Sequence, residues 1–160
     1  MENLPQNISP QMVLATRAAL ALLLLATIAA QIVVVITGQS MASTYPEFAH
    51  LEAPLVGAAI LFGICVEVVL IITAILVGYI RDERIFGSTS RKLIDIMAAT
   101  LAGATAIVAG TVFLVPGPPA LGLLLIGGVL AGTTLTMVLL VLRSLLRRTV
   151  FMRAELDGVV

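Results

Sequence analysis

The chain is 160 residues long, about the size of one domain, and 60% of it is hydrophobic against 11% charged, with a mean hydropathy of +1.15. That composition excludes a water-soluble globular fold. It also excludes disorder, which needs low hydrophobicity and a high net charge, whereas nine Lys and Arg here balance nine Asp and Glu.

A helix crossing about 30 Å of hydrocarbon needs roughly 20 apolar residues. In chain order, Ala18 to Thr37 carries no charge and follows Arg17. Its apolar stretch is too long for a typical secretory signal, so it reads as a retained span. A connector from Gly38 to Pro54 follows, holding Glu47, His50 and Glu52 between prolines. On a short helix Glu47 and His50 would share a face, but three potential ligands on a flexible segment lack the fixed geometry of a metal site and read as solvated interfacial residues. The second span, Leu55 to Ile80, is apolar except for Glu67, and its Cys65 cannot form an intrachain disulfide and packs as a small apolar residue.

The connector Arg81 to Lys92 has Ser88 to Ser90 placed to cap the third span, Leu93 to Val115, with Asp95 in the first turn to suit the helix dipole. Pro116-Gly117-Pro118-Pro119 cannot continue a helix, so a tight hairpin leads into the fourth span, Leu121 to Leu142. Ala98, Ala102, Ala106 and Gly110, each four apart, are expected to face Gly128 and Gly132 in close helix packing. The same faces would also serve a homo-oligomer. The tail from Arg143 to Val160 begins as a basic amphipathic helix, with Leu142, Leu145, Leu146 and Thr149 on one side. Such a helix suits anionic headgroups. The charge reversal at Glu155, Leu156 and Asp157 suits protein docking instead.

All nine cations fall before span one, between spans two and three, or after span four. The positive-inside rule then puts both termini in the cytoplasm. The expected fold is an all-α polytopic membrane protein of one domain over residues 1–160, with four antiparallel transmembrane helices at about 18–37, 55–80, 93–115 and 121–142. It is expected as a multi-pass protein of the cell membrane.

Glu67 is thirteenth of the 26 residues of its span, close to the bilayer midplane. A central acidic residue costs about 2.5–3.5 kcal/mol on insertion scales, so it is expected to face the other helices and be protonated or hydrogen-bonded. Counting depth from each membrane edge brings Thr27, Thr105 and Thr133 or Thr134 to its level, while Gln31 lies nearer the outside. Glu67 reads either as a proton or cation site or as a neutral packing residue. The second is preferred because no other intramembrane charge accompanies it. No phosphate loop, HExxH motif, CxxC pair or catalytic His arrangement is present, so no enzyme activity and no cofactor are expected.

Several stretches carry a resemblance. These are Pro46 to Leu51 with Pro54, Cys65 to Val68, Arg84 to Phe86, Leu93 to Ile96, Leu145 to Arg147 and Ala154 to Val159. In their order and spacing they resemble the YoaS-like family of small bacterial four-helix membrane proteins, a domain of unknown function, and are most similar to its actinobacterial branch. The resemblance implies that glutamine is common where Glu67 stands. It also implies a cytosolic partner, since members are often encoded beside a small helix-turn-helix regulator; no direct nucleic-acid binding is implied. The leading expectation is an accessory or regulatory protein that binds its partner through Arg81, Arg84, Phe86, Arg147, Arg148, Glu155, Leu156 and Asp157. The alternative is a small channel or transporter using Glu67.

Overall fold

The computed structural model describes residues 10–81, 88–115 and 119–157. They form α1 (Pro10–Thr44), a short 3-10 turn at Pro46–Phe48, α2 (Ala49–Arg81), α3 (Ser88–Val112) and α4 (Pro119–Asp157). All four α-helices are long and apolar enough to cross a membrane.

Except at the end of α3, which stops at Val112 short of the expected Val115, the helices outrun the apolar stretches that mark them. Backbone hydrogen bonding continues through polar residues wherever nothing breaks it, so α1 runs seven residues past Thr37. There the Ser43 and Thr44 hydroxyls donate back to the Ser40 carbonyl at 2.8 Å. The expected 17-residue connector shrinks to Tyr45 and the 3-10 turn, closed by Tyr45 N–H to Met41 O and Phe48 N–H to Tyr45 O. Pro54 lies inside α2, five residues after its start. α3 begins at Ser88, which moves Asp95 to the eighth helical position and away from the first-turn placement expected for it. At its far end Phe113 N–H and Leu114 N–H bond to Gly110 O and Thr111 O, tightening the last turn. Pro119 then opens α4, where its fixed φ and missing N–H cost nothing.

Short connections make consecutive helices neighbours. Among the described residues, close backbone approach occurs only between α1 and α2, α2 and α3, and α3 and α4. The assembly is a helical bundle left open between α1 and α4. Glycines set the separation of its outer pairs. A Cβ on Gly38 would stand 2.6 Å from Val56 Cγ2, one on Gly63 would strike the Gln31 amide, and one on Gly78 would stand 2.8 Å from Arg17 Nη2. Falling positions on α1 thus meet rising positions on α2.

Between α3 and α4 a Cβ on Gly132 would run into the Thr105 hydroxyl, and one on Gly128 would lie 3.6 Å from Val108 Cγ1. Here the expected small-against-small face is corrected. Ala98 is buried, but Ala102, Ala106 and Gly110 are exposed, and a Cβ built on Gly110 would have no neighbouring side chain within 4 Å. Close packing needs only one small partner, and Thr105 and Val108 supply the projecting side chains that the α4 glycines receive.

Candidate functional site

Glu67 is half-buried on α2 and is bound from α1. Gln31 Nε2 donates to its Oε1 at 2.9 Å. The amide reaches it by lying across Gly63, one turn away on α2, where any side chain would block the path. The threonines expected at Glu67 are not its partners. Thr27, Thr105, Thr133 and Thr134 donate to the carbonyls of Leu23, Leu101, Val129 and Leu130, each four residues back in its own helix. Depth set Thr27 opposite Glu67, as the pairing of Gln31 with Gly63 and Gly38 with Val56 shows, but did not identify the partner. Reach decides the outcome: a short hydroxyl is satisfied by its own helix, whereas a glutamine amide extends a full turn to the neighbouring one.

This arrangement gives the carboxyl a neutral donor from the neighbouring helix. From Ala18 to Thr44 helix α1 carries no ionisable side chain, so the amide has no acid or base on that helix to which a proton would pass. The chemistry available is that of a polar tie between two membrane helices.

A second tie was not anticipated. Arg143 on α4 meets Asp95 on α3, with Nη2 donating to Oδ2 at 2.7 Å and Nε 2.5 Å from Oδ1. Oδ1 is buried and has no aligned hydrogen bond, so the Nε contact is one of charge. The side chains are 34% and 39% exposed respectively, and the pair lies close to the ends of the two apolar spans at Lys92 and Leu145, toward the membrane rim. The signal was in the sequence. Folding the chain at the proline-rich hairpin brings position 95 opposite position 143, in the same register that joins Thr105 to Gly132.

The expected docking residues fall at this end. Arg81 closes α2, and Arg147, Arg148, Glu155, Leu156 and Asp157 lie on the last turns of α4. Arg84 and Phe86 lie outside the described residues.

At the opposite end an open apolar cleft of about 560 Å³ lies between the end of α1, the 3-10 turn and the start of α2, with Val115 beyond α3 on its edge. Val33, Met41, Leu51 and Leu55 form much of its wall. Glu52 lines it half-buried, while Glu47 and His50 are exposed. Among the described residues no three His, Cys, Asp or Glu side chains gather as a metal site.

One family model, described as a protein of unknown function (DUF2975), matches residues 36–160. The chain belongs to this family. The match covers α2, α3 and α4 whole and the end of α1, and so includes Glu67 and both partners of the Asp95–Arg143 pair, but not Gln31. No curated protein and no solved structure matches the chain.

Proposed function

We propose that this DUF2975 protein is an accessory or regulatory component of the cell membrane, with four antiparallel spans and cytoplasmic termini, that docks a cytosolic protein on its inner connector and on the end of α4. The observation that carries the reading is the length of α4. Its 39 residues rise about 58 Å at ~1.5 Å each, against about 30 Å of hydrocarbon. Residues 143–157 therefore continue the span as an unbroken helix. With Asp95 level with Arg143, the start of α3 at Ser88 is level with about residue 150, and the last two turns of α4 project past it. A projecting helix with Leu142, Leu145, Leu146, Thr149 and Leu156 on one register, interrupted there by Arg153, and with Arg143, Arg147, Arg148 and Glu155 off it, suits a partner that takes a helix in a groove and pairs with charges beside it. The resemblance to the YoaS-like family and its actinobacterial branch supplies the class of partner, a small helix-turn-helix regulator.

The test is recovery of partners from native membranes in mild detergent. An N-terminally tagged full chain is compared with one ending at Met152. A soluble protein recovered only with the full chain supports the reading, and equal recovery with both overturns the docking role of the tail. The alternative, a channel or transporter using Glu67, predicts that Glu67→Gln abolishes proton or cation flux in liposomes. The Gln31 tie favours a structural role for Glu67 and hence no such loss.

A further inference from the structure

The cleft beside the 3-10 turn combines four features that its neighbours do not explain. Its wall is apolar, yet Glu52 lines it, and among the described residues no hydrogen bond or ion pair reaches the Glu52 carboxylate. The Glu52 stem faces Gly38 of α1, with Cγ 3.8 Å from where a Cβ would stand. Tyr45 and Phe48 line the same cleft and remain 51% and 50% exposed. Finally, no Lys or Arg occurs from Ala18 to Ile80 or from Leu93 to Leu142, so the only basic side chain at this end is His50, the chain's single histidine.

A carboxylate lining one cleft with two aromatic rings is chemistry for an organic cation, which gains from both the charge and the ring faces. The apolar wall asks for a hydrocarbon body as well, and 560 Å³ is within the ~300–1,000 Å³ range of small-molecule sites. A metal ion would find one carboxylate and too few oxygen ligands. An anionic amphiphile would meet Glu52 and Glu47 with no Lys or Arg to pair. We propose that this cleft binds a free amphiphilic cation, a monovalent ammonium bearing a single alkyl tail, with the ammonium held between Glu52, Tyr45 and Phe48 and the tail along the α1 and α2 walls. This site is independent of docking at the far end of α4.

The test uses the full chain in phosphatidylcholine nanodiscs and a photoreactive alkyltrimethylammonium probe, with labelled peptides located by mass spectrometry. Expected are saturable labelling confined to residues 33–56 and competition by dodecyltrimethylammonium at concentrations at least tenfold below those of dodecanol. Glu52→Gln weakens binding tenfold or more, and Phe48→Ala weakens it about threefold, both with unchanged helix content. Equal competition by the neutral alcohol would make the cleft a groove for lipid tails and overturn the proposal. So would labelling spread along the apolar faces of α1 and α4, or full binding by Glu52→Gln. The comparison of cation with alcohol is made on the unaltered chain, so it decides the matter even if a variant does not fold.

Discussion

The α1–α2 and α3–α4 contacts solve one problem in two ways. Each closes over a glycine and each carries one polar tie, but near the membrane centre the tie is an amide on a carboxyl, Gln31 to Glu67, and at the rim it is a full ion pair, Arg143 to Asp95. Taking two charges out of water costs more than their attraction returns unless the geometry and solvation are favourable. The rim, where both side chains keep about a third of their exposure, tolerates the pair, and the interior uses a neutral donor. The glycines differ too. Gly132 receives Thr105, whose β-branched side chain is stiff and whose hydroxyl is bound to Leu101 O, whereas Gly63 receives the flexible end of Gln31.

That contrast predicts the largest effect. Gly132→Ala forces Thr105 or the whole of α4 to move, at about 1–3 kcal/mol of overpacking, and Thr105→Ala in the same chain recovers most of it. Gly63→Ala turns only the flexible Gln31 amide aside, so its cost is that of the lost bond to Glu67, about 1 kcal/mol, with little overpacking added. Reversible unfolding in mixed detergent–lipid micelles measures both, and a Gly63→Ala cost equal to that of Gly132→Ala would break the comparison.

Next come the ties themselves. Gln31→Leu leaves the Glu67 carboxyl without its donor and should cost about 1 kcal/mol, given interhelical hydrogen bonds in membranes that average ~0.6 and reach ~1.7 kcal/mol. The double variant Gln31→Leu with Glu67→Leu should regain most of that loss, because removing both polar groups leaves none unsatisfied. Arg143→Gln should cost about 0.5–1 kcal/mol, as befits a half-exposed pair. Its effect should shrink as salt rises from 0.05 to about 1 M while the Gln31 effect stays constant, since screening reaches the rim and not the interior. Equal salt dependence at both sites would mean that they do not differ in solvation.

The four spans were legible because apolar length is a strong, local signal, and Glu67 stood out as the one charge deep within a span. Its partner was not legible. Choosing between Thr27 and Gln31 required knowing which glycine opens a path across α2, and Gly63 acquires that role only once α1 is packed on it. The Asp95–Arg143 pair was hidden by a boundary error: placing the start of α3 at Leu93 gave Asp95 a sufficient role as a helix-terminal charge, and a residue so explained is not searched for a partner. Most helix ends lie beyond the apolar stretch, but α3 stops at Val112, three residues short of the expected Val115. The apolar stretch marks where the membrane ends, while the helix ends where its hydrogen bonds do, at Thr44 and Asp157 instead of Thr37 and Leu142.

The smallest predicted effect bears most directly on how Glu67 is held. Thr27→Ala removes a hydroxyl that stands opposite Glu67 in register but donates to Leu23 O of its own helix. Its loss frees no partner on α2 and exchanges a β-branched residue for the best helix former, so the change should lie within about 0.5 kcal/mol of zero, and on the stabilising side. Thr134→Ala, bound to Leu130 O on α4, should behave alike. The informative quantity is the coupling of each with Glu67→Gln in a double-variant cycle. It should vanish for both threonines, and it should stay near zero for Thr27 even in a Gln31→Leu background, because a hydroxyl satisfied within its helix gains little by turning to a carboxyl across the gap. A coupling of about 1 kcal/mol between Thr27 and Glu67 in that background would mean that α1 offers Glu67 a second donor on demand. The carboxyl would then be held by a polar face and not by the single amide that lies over Gly63.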